Sequence, residues 1–95
     1  GSYQFGITKD KAKFVLTNTL DEKENKYKKI EILDIEKADR YVKSKKSLEE
    51  LFGKYKNIYY YVVVNKGLFR GKEVYAINIY NEKIYAISEN GLNEY

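Results

Sequence analysis

Residues 57 to 64 carry the unbroken run Ile58-Tyr59-Tyr60-Tyr61-Val62-Val63-Val64, and the stretches 72 to 80 and 83 to 88 repeat its bias toward Val, Ile and Tyr. β-Branched and aromatic side chains fit a pleated, packed surface, so each stretch reads as a strand. Together they predict a three-stranded antiparallel meander in the last third of the chain. The continuous apolar run in the first strand implies either a central position or cover on both faces. Tyr59, Tyr60, Tyr61, Tyr75, Tyr80 and Tyr85 fall within this region. A tyrosine joins a large apolar ring to a polar tip, so a sheet bearing it on both faces can pack on a core with one and meet a partner with the other.

The strand connections refine that picture. Asn65-Lys66-Gly67-Leu68-Phe69-Arg70-Gly71 forms the first loop, with a glycine toward each end supplying backbone shapes that other residues resist. A tight turn through Asn81-Glu82 would pair Tyr80 with Lys83, Ile79 with Ile84 and Ile77 with Ala86, placing those isoleucines on the core side. Val74, Ala76, Asn78, Tyr80, Tyr85 and Ile87 then share the opposite face, which is too apolar to be purely solvated.

Upstream, Ile7 to Leu20 predicts an amphipathic helix. Thr8 is its N-cap, Asp10 sits in the first turn, and Ala12, Val15, Leu16 and Leu20 recur at helical spacing. A strand over Lys13 to Thr19 competes, because Phe14, Val15, Thr17 and Thr19 are good strand formers. Residues 21 to 29 are polar enough to be an exposed connection, after which Ile30, Ile32, Leu33 and Ile35 mark a short strand with Glu31 on the other face. Asp34 can cap the helical stretch after it. From Glu36 to Lys56 the spacing is helical, with a second start at Ser47-Leu48-Glu49-Glu50, which has the form of a capping box. One helix and two short ones both fit, and Gly53 lies where a helix commonly stops.

A chain of 95 residues supports one small domain, and 43% hydrophobic with 34% charged residues suits a small soluble one. Gly1-Ser2 reads as the remnant of a cleaved expression tag, leaving 3 to 95 as a single α+β domain. The fold expected is one or two helices packed on an antiparallel sheet of three to four strands with the C-terminal β-meander. With no Met, the natural start lies outside this sequence. No apolar stretch approaches the ~20 residues of a membrane-spanning helix, so no membrane insertion of this piece is expected.

The chemistry is bounded by what the chain lacks. It has no Cys and no His. That removes a disulfide scaffold, a thiolate metal cage, a cysteine nucleophile and the commonest general base. Carboxylates, lysines, tyrosines and hydroxyls remain. Asp34, Glu36 and Asp39 cluster at a strand-to-helix junction, where such acids cap and solubilise a helix, and the alternative is a carboxylate-dependent or Mg2+ site. Glu31 and Glu73 join them only if the fold brings them together. Gly67 and Gly71 are followed by no Gly-Lys-Ser/Thr, so turn chemistry explains them better than a phosphate loop. No catalytic, cofactor-binding or metal-binding residue is assigned, and no cofactor.

The net charge is +4, with 18 basic and 14 acidic residues interleaved along the chain. Lys26-Lys28-Lys29 and Lys43-Lys45-Lys46 are the densest basic clusters, each with acids nearby. A basic nucleic-acid-binding protein, phage or mobile-element encoded, is therefore the alternative to a protein-binding one. Rich use of Lys, Ile, Tyr and Asn suggests an AT-rich genome, which raises lysine content without a functional cause.

Ile7-Thr8-Lys9-Asp10-Lys11-Ala12 resembles the opening Ile-Thr-x-x-x-Ala helix of PepSY-type domains. The closing hairpin Val74-Tyr75-Ala76-Ile77-Asn78-Ile79 and Lys83-Ile84-Tyr85-Ala86-Ile87 is similar to that family's final strands. The resemblance covers the two ends only: residues 36 to 56 insert a second helical region, and Ser88-Glu89-Asn90-Gly91 replaces the usual Asp-x-x-Thr-Gly turn. It implies a bacterial, non-catalytic module, outside the cytoplasm, that contacts or restrains another protein; a cytoplasmic place stays open. The residues alone point to protein binding through Phe69 and Arg70 at a loop tip and Tyr80 and Tyr85 on the sheet, since aromatic and Arg side chains are favoured at interface hot spots. Pairing of a partner strand with a sheet edge is a second route.

Overall fold

Thr8 opens the first helix: its hydroxyl accepts a hydrogen bond from the Lys11 N–H at 3.1 Å, and α1 runs over Lys9–Glu22 in the computed structural model. The structure describes residues 6–42, 47–48, 50, 57–66, 71–88 and 91–95. Ala12, Leu16 and Leu20, four apart, are the buried stripe of α1. The strand formers that competed with this reading are accommodated helically. Phe14 faces solvent, and the hydroxyls of Thr17 and Thr19 donate to the carbonyls of Lys13 and Val15 one turn back. The helix ends in a Schellman arrangement, with Asn25 N–H on the Leu20 carbonyl and Glu24 N–H on that of Asp21. The residue forced to positive φ there is Glu24, at 56°.

Strand β1 spans Tyr27–Leu33, α2 Ile35–Val42, β2 Ile58–Asn65, β3 Lys72–Asn78, β4 Ile84–Ser88 and β5 Gly91–Glu94. The strands form one antiparallel five-stranded sheet in the order β1-β2-β3-β4-β5. The fold is α+β. It holds one strand beyond the four expected at most, because β5 follows β4 after Ser88, and β1 is longer at its start, since Tyr27 to Lys29 belong to it instead of to the polar connection. Asn65 and Val64 supply the backbone partners that override that polarity, with a register shift between Tyr27 and Lys29.

The β3–β4 turn is longer than two residues. Ile77 lies opposite Ile84 and Tyr75 opposite Ala86. Asn78 closes the turn by accepting from the N–H groups of Tyr80 and Asn81, and Asn81 by accepting from that of Lys83. A register change of two residues leaves every side chain on its expected face. Ile79 sits in the turn itself, where its carbonyl accepts from Ile7 N–H at 2.9 Å. A Cβ on Gly6 would meet the Ile79 side chain at 2.5 Å, so the N-terminal segment requires glycine there.

The sheet is covered on both faces. On one, Ala12, Leu16 and Leu20 of α1 pack on Ile30, Tyr61, Val63, Tyr75, Ile77 and Ile84. On the other, Ala38 of α2 and Leu48 pack on Tyr60, Val74, Ala76 and Ile87. The continuous apolar run of β2 has its cause here, since its alternate residues serve two different cores. Ser47 Oγ accepts from Glu50 N–H at 3.2 Å, the first half of the capping box. The remainder of the 43–56 region, including Gly53, lies outside the described residues.

Candidate docking edge

The tyrosines of the sheet are mostly interior. Tyr60, Tyr61 and Tyr75 are buried, and Tyr59 and Tyr85 are half-buried. This corrects the expectation of a spare tyrosine-bearing sheet face: Val74, Ala76, Tyr85 and Ile87 do share a face, but α2 and Leu48 cover it. Tyr61 Oη donates to the Lys9 carbonyl at 2.7 Å, tying β2 to the start of α1. Tyr75 Oη donates to Glu73 Oε2 at 2.6 Å. Asn25 Nδ2 donates to the hydroxyls of Tyr75 and Tyr95, whose rings meet edge to face at 4.9 Å. Burial drives the Tyr60 and Tyr61 hydroxyls up to about 12, and burial plus the Glu73 carboxylate drive that of Tyr75 up further.

Of the four residues singled out for binding, Tyr80 is exposed at 55% on the β3–β4 turn. Tyr85 packs half-buried against the α2-side core. Phe69 and Arg70 lie outside the described residues. Gly71, which ends their segment, and Tyr80 flank the seven residues of β3, roughly 20 Å of extended chain at ~3.3 Å per residue.

Two of the three clustered carboxylates, Asp34 and Asp39, have structural partners. Asp34 Oδ1 accepts from Lys37 N–H at 2.8 Å, capping α2, and Asp39 Oδ1 accepts from Leu48 N–H at 2.7 Å. Glu31, opposite Val62, and Glu73, opposite Val63, emerge on opposite faces of the sheet. Among the described residues no group of three or more acidic side chains is placed to hold a metal ion. Asp34→Ala is expected to lower stability by about 1 kcal/mol, the ordinary worth of a lost cap, read from the midpoint of urea unfolding.

Sheet-edge pairing, expected above as a second route without a named strand, has a candidate in the outer edge of β1. Among the described residues the strand pairs with β2 on one side and with no strand on the other. A groove of about 690 Å³ runs along that edge, floored by Ile30, Glu31, Ile32 and Leu33 and walled by Lys13 of α1 and by Lys37, Arg40 and Tyr41 of α2. A second hollow of about 400 Å³ continues from Ile32 and Leu33 past Ile35 to Ile58 and Tyr59. Ile32 and Tyr41 are each 43% exposed and Ile35 40%. These apolar groups sit around the same backbone edge. The periodicity around Ile30 and Ile32 signalled a strand; its place at the border of the sheet depended on long-range order and had no local signal.

The edge carries a charge pattern. Lys29 Nζ and Glu31 Oε1 pair at 2.5 Å with both side chains solvated. The Glu31 carboxyl is held below its usual range first by the Lys29 hydrogen bond and charge, then by Lys72 and Lys37. Lys72 Nζ stands 5.1 Å from the centre of the Tyr41 ring. No helix among the described residues is long and apolar enough to cross a membrane. No family model, curated protein or solved structure matches the chain.

Proposed function

We propose that this protein is a non-enzymatic protein-binding module that takes up an extended segment of another protein as an added strand beside β1. The observation that carries this reading is the open β1 edge with Ile32, Ile35 and Tyr41 exposed around it. Unpaired N–H and C=O groups along a strand offer affinity that is independent of partner sequence, and flanking pockets select side chains. Natural sheets usually blunt such edges. Here Lys28, Lys29 and Glu31 keep the edge soluble without closing it. The resemblance of both chain ends to PepSY-type modules points toward a regulatory or inhibitory contact of the same kind.

The test is selection of a linear peptide library on the folded protein, followed by NMR titration with a selected peptide. Perturbed amides are expected to concentrate in Tyr27–Leu33, and Ile32→Lys is expected to weaken binding at least tenfold while leaving the spectrum of the free protein native. Shifts centred on Tyr80, or selected peptides that bind Ile32→Lys equally well, would overturn the reading.

A further inference from the structure

Resting on that strand-addition reading, we infer that the segment taken up at β1 is acidic, with carboxylates alternating with apolar side chains. The two faces of β1 differ in chemistry. Ile30 and Ile32 share the α1 face through their pairing with Val63 and Tyr61, whereas Lys29 and Glu31 share the α2 face through Val64 and Val62. In an added antiparallel strand, residues directly opposite point to the same side. Alternate residues of the incoming segment therefore meet Ile30 and Ile32, and the intervening ones meet the side where Lys29, Lys37 and Arg40 stand.

That second side has an excess of cations. Among the described residues that line the groove, Glu31 is the one carboxylate, and it already has Lys29 as its partner. Lys37 and Arg40 form no salt bridge among the described residues. A carboxylate arriving there gains their attraction without displacing an existing ion pair, and an incoming Lys or Arg meets like charge. The exposed strand residue Lys28 extends the same preference toward the start of β1.

A second copy of this chain is a weaker occupant. Two β1 strands centred on Ile30 would set Lys29 against Glu31 in both directions, but each copy also brings its own Lys37 and Arg40 to the seam. Nucleic acid would use the cations and leave Ile32, Ile35 and the open backbone unengaged.

The test uses the full chain and three labelled ten-residue peptides that alternate Val with Glu, Thr or Lys, read by fluorescence anisotropy and by amide shifts. The Glu peptide is expected to bind at least tenfold tighter than the Thr peptide, and the Lys peptide weakest. The margin should shrink with added salt, because exposed charges are screened beyond about 8 Å at physiological ionic strength. A Lys37→Glu/Arg40→Glu variant, altered at exposed positions, is expected to reverse the order. Equal binding of the Glu and Thr peptides with shifts in Tyr27–Leu33 would overturn the acidic preference while leaving strand addition intact. No shift in β1 with any peptide would overturn strand addition itself. Two further results would sink the acidic segment: an oligonucleotide that binds while the Glu peptide fails to compete, or a dimer in sedimentation that the Glu peptide does not dissociate.

Discussion

Replacing Tyr61 by Ala is expected to remove about 3–5 kcal/mol of stability, a large share of the ~5–15 kcal/mol that holds a domain of this kind folded. Tyr61 is 1% exposed and belongs to the core beneath α1. Its ring lies on the inner strand β2, so the surrounding elements cannot easily collapse into the space left behind. The hydroxyl adds a separate contribution by donating to the Lys9 carbonyl at 2.7 Å. Tyr61→Phe keeps the ring and loses that bond, and should cost only about 1 kcal/mol. Urea unfolding of both variants, compared at equal slope, separates volume from hydrogen bond. A Phe variant as unstable as the Ala variant would assign the stability to the hydroxyl instead.

The second large effect is alkaline unfolding. The hydroxyls of Tyr60 and Tyr61 are pushed up to about 12 from the ordinary 10.0, chiefly by burial, and that of Tyr75 is raised as well by burial and by Glu73. A raised value in the folded state means that the native protein keeps protons which the unfolded chain releases. The contribution of Tyr60 and Tyr61 to stability is therefore undiminished below the ordinary tyrosine value and is lost as pH climbs from about 10 toward 12, and the raised Tyr75 hydroxyl acts in the same direction. Phenolate absorbance and far-ultraviolet circular dichroism followed across this range should change together, because ionising these rings requires the core to open. Phenolate forming at the ordinary value for all tyrosines, with the dichroism intact, would contradict the buried arrangement.

Local signals were readable wherever side chains act on their own neighbours. Thr8, Asp34 and Ser47 were recognisable as caps because a cap bond spans only three residues. The faces of β3 and β4 were readable because period two survives a register error of two. The turn itself was misjudged, since Asn78 closes a longer loop through its side chain, and a pattern of apolar residues carries no trace of that bond. The end of α1 was hidden because Glu24, not glycine, adopts the left-handed conformation.

The candidate site was harder to read for a related reason. Tyr-rich strands advertise aromatic surface, yet whether that surface is inside or outside depends on what the intervening helices cover. A helix with Ala38 as its buried residue, joined by Leu48, suffices to seal Val74, Ala76 and Ile87. The alternation of Ile30 and Ile32 marked a strand and nothing more. Among the described residues β1 has a neighbour on one side only, and Ile32 on that border is exposed.

The chain route through β1 has an energetic consequence. Strands β2 to β5 succeed one another through short connections, while β1 reaches β2 only after the long excursion from Leu33 to Ile58 that includes α2. Closing that loop costs chain entropy, and β1 recovers it from one ladder of hydrogen bonds and few helix contacts. Among the strands with a long ladder, β1 is the one whose local opening demands least, so its amides exchange with solvent ahead of those of β2 and β3. A guest strand on its outer side would sandwich β1 between two ladders, turning a border strand into an inner one and coupling occupancy to protection from exchange.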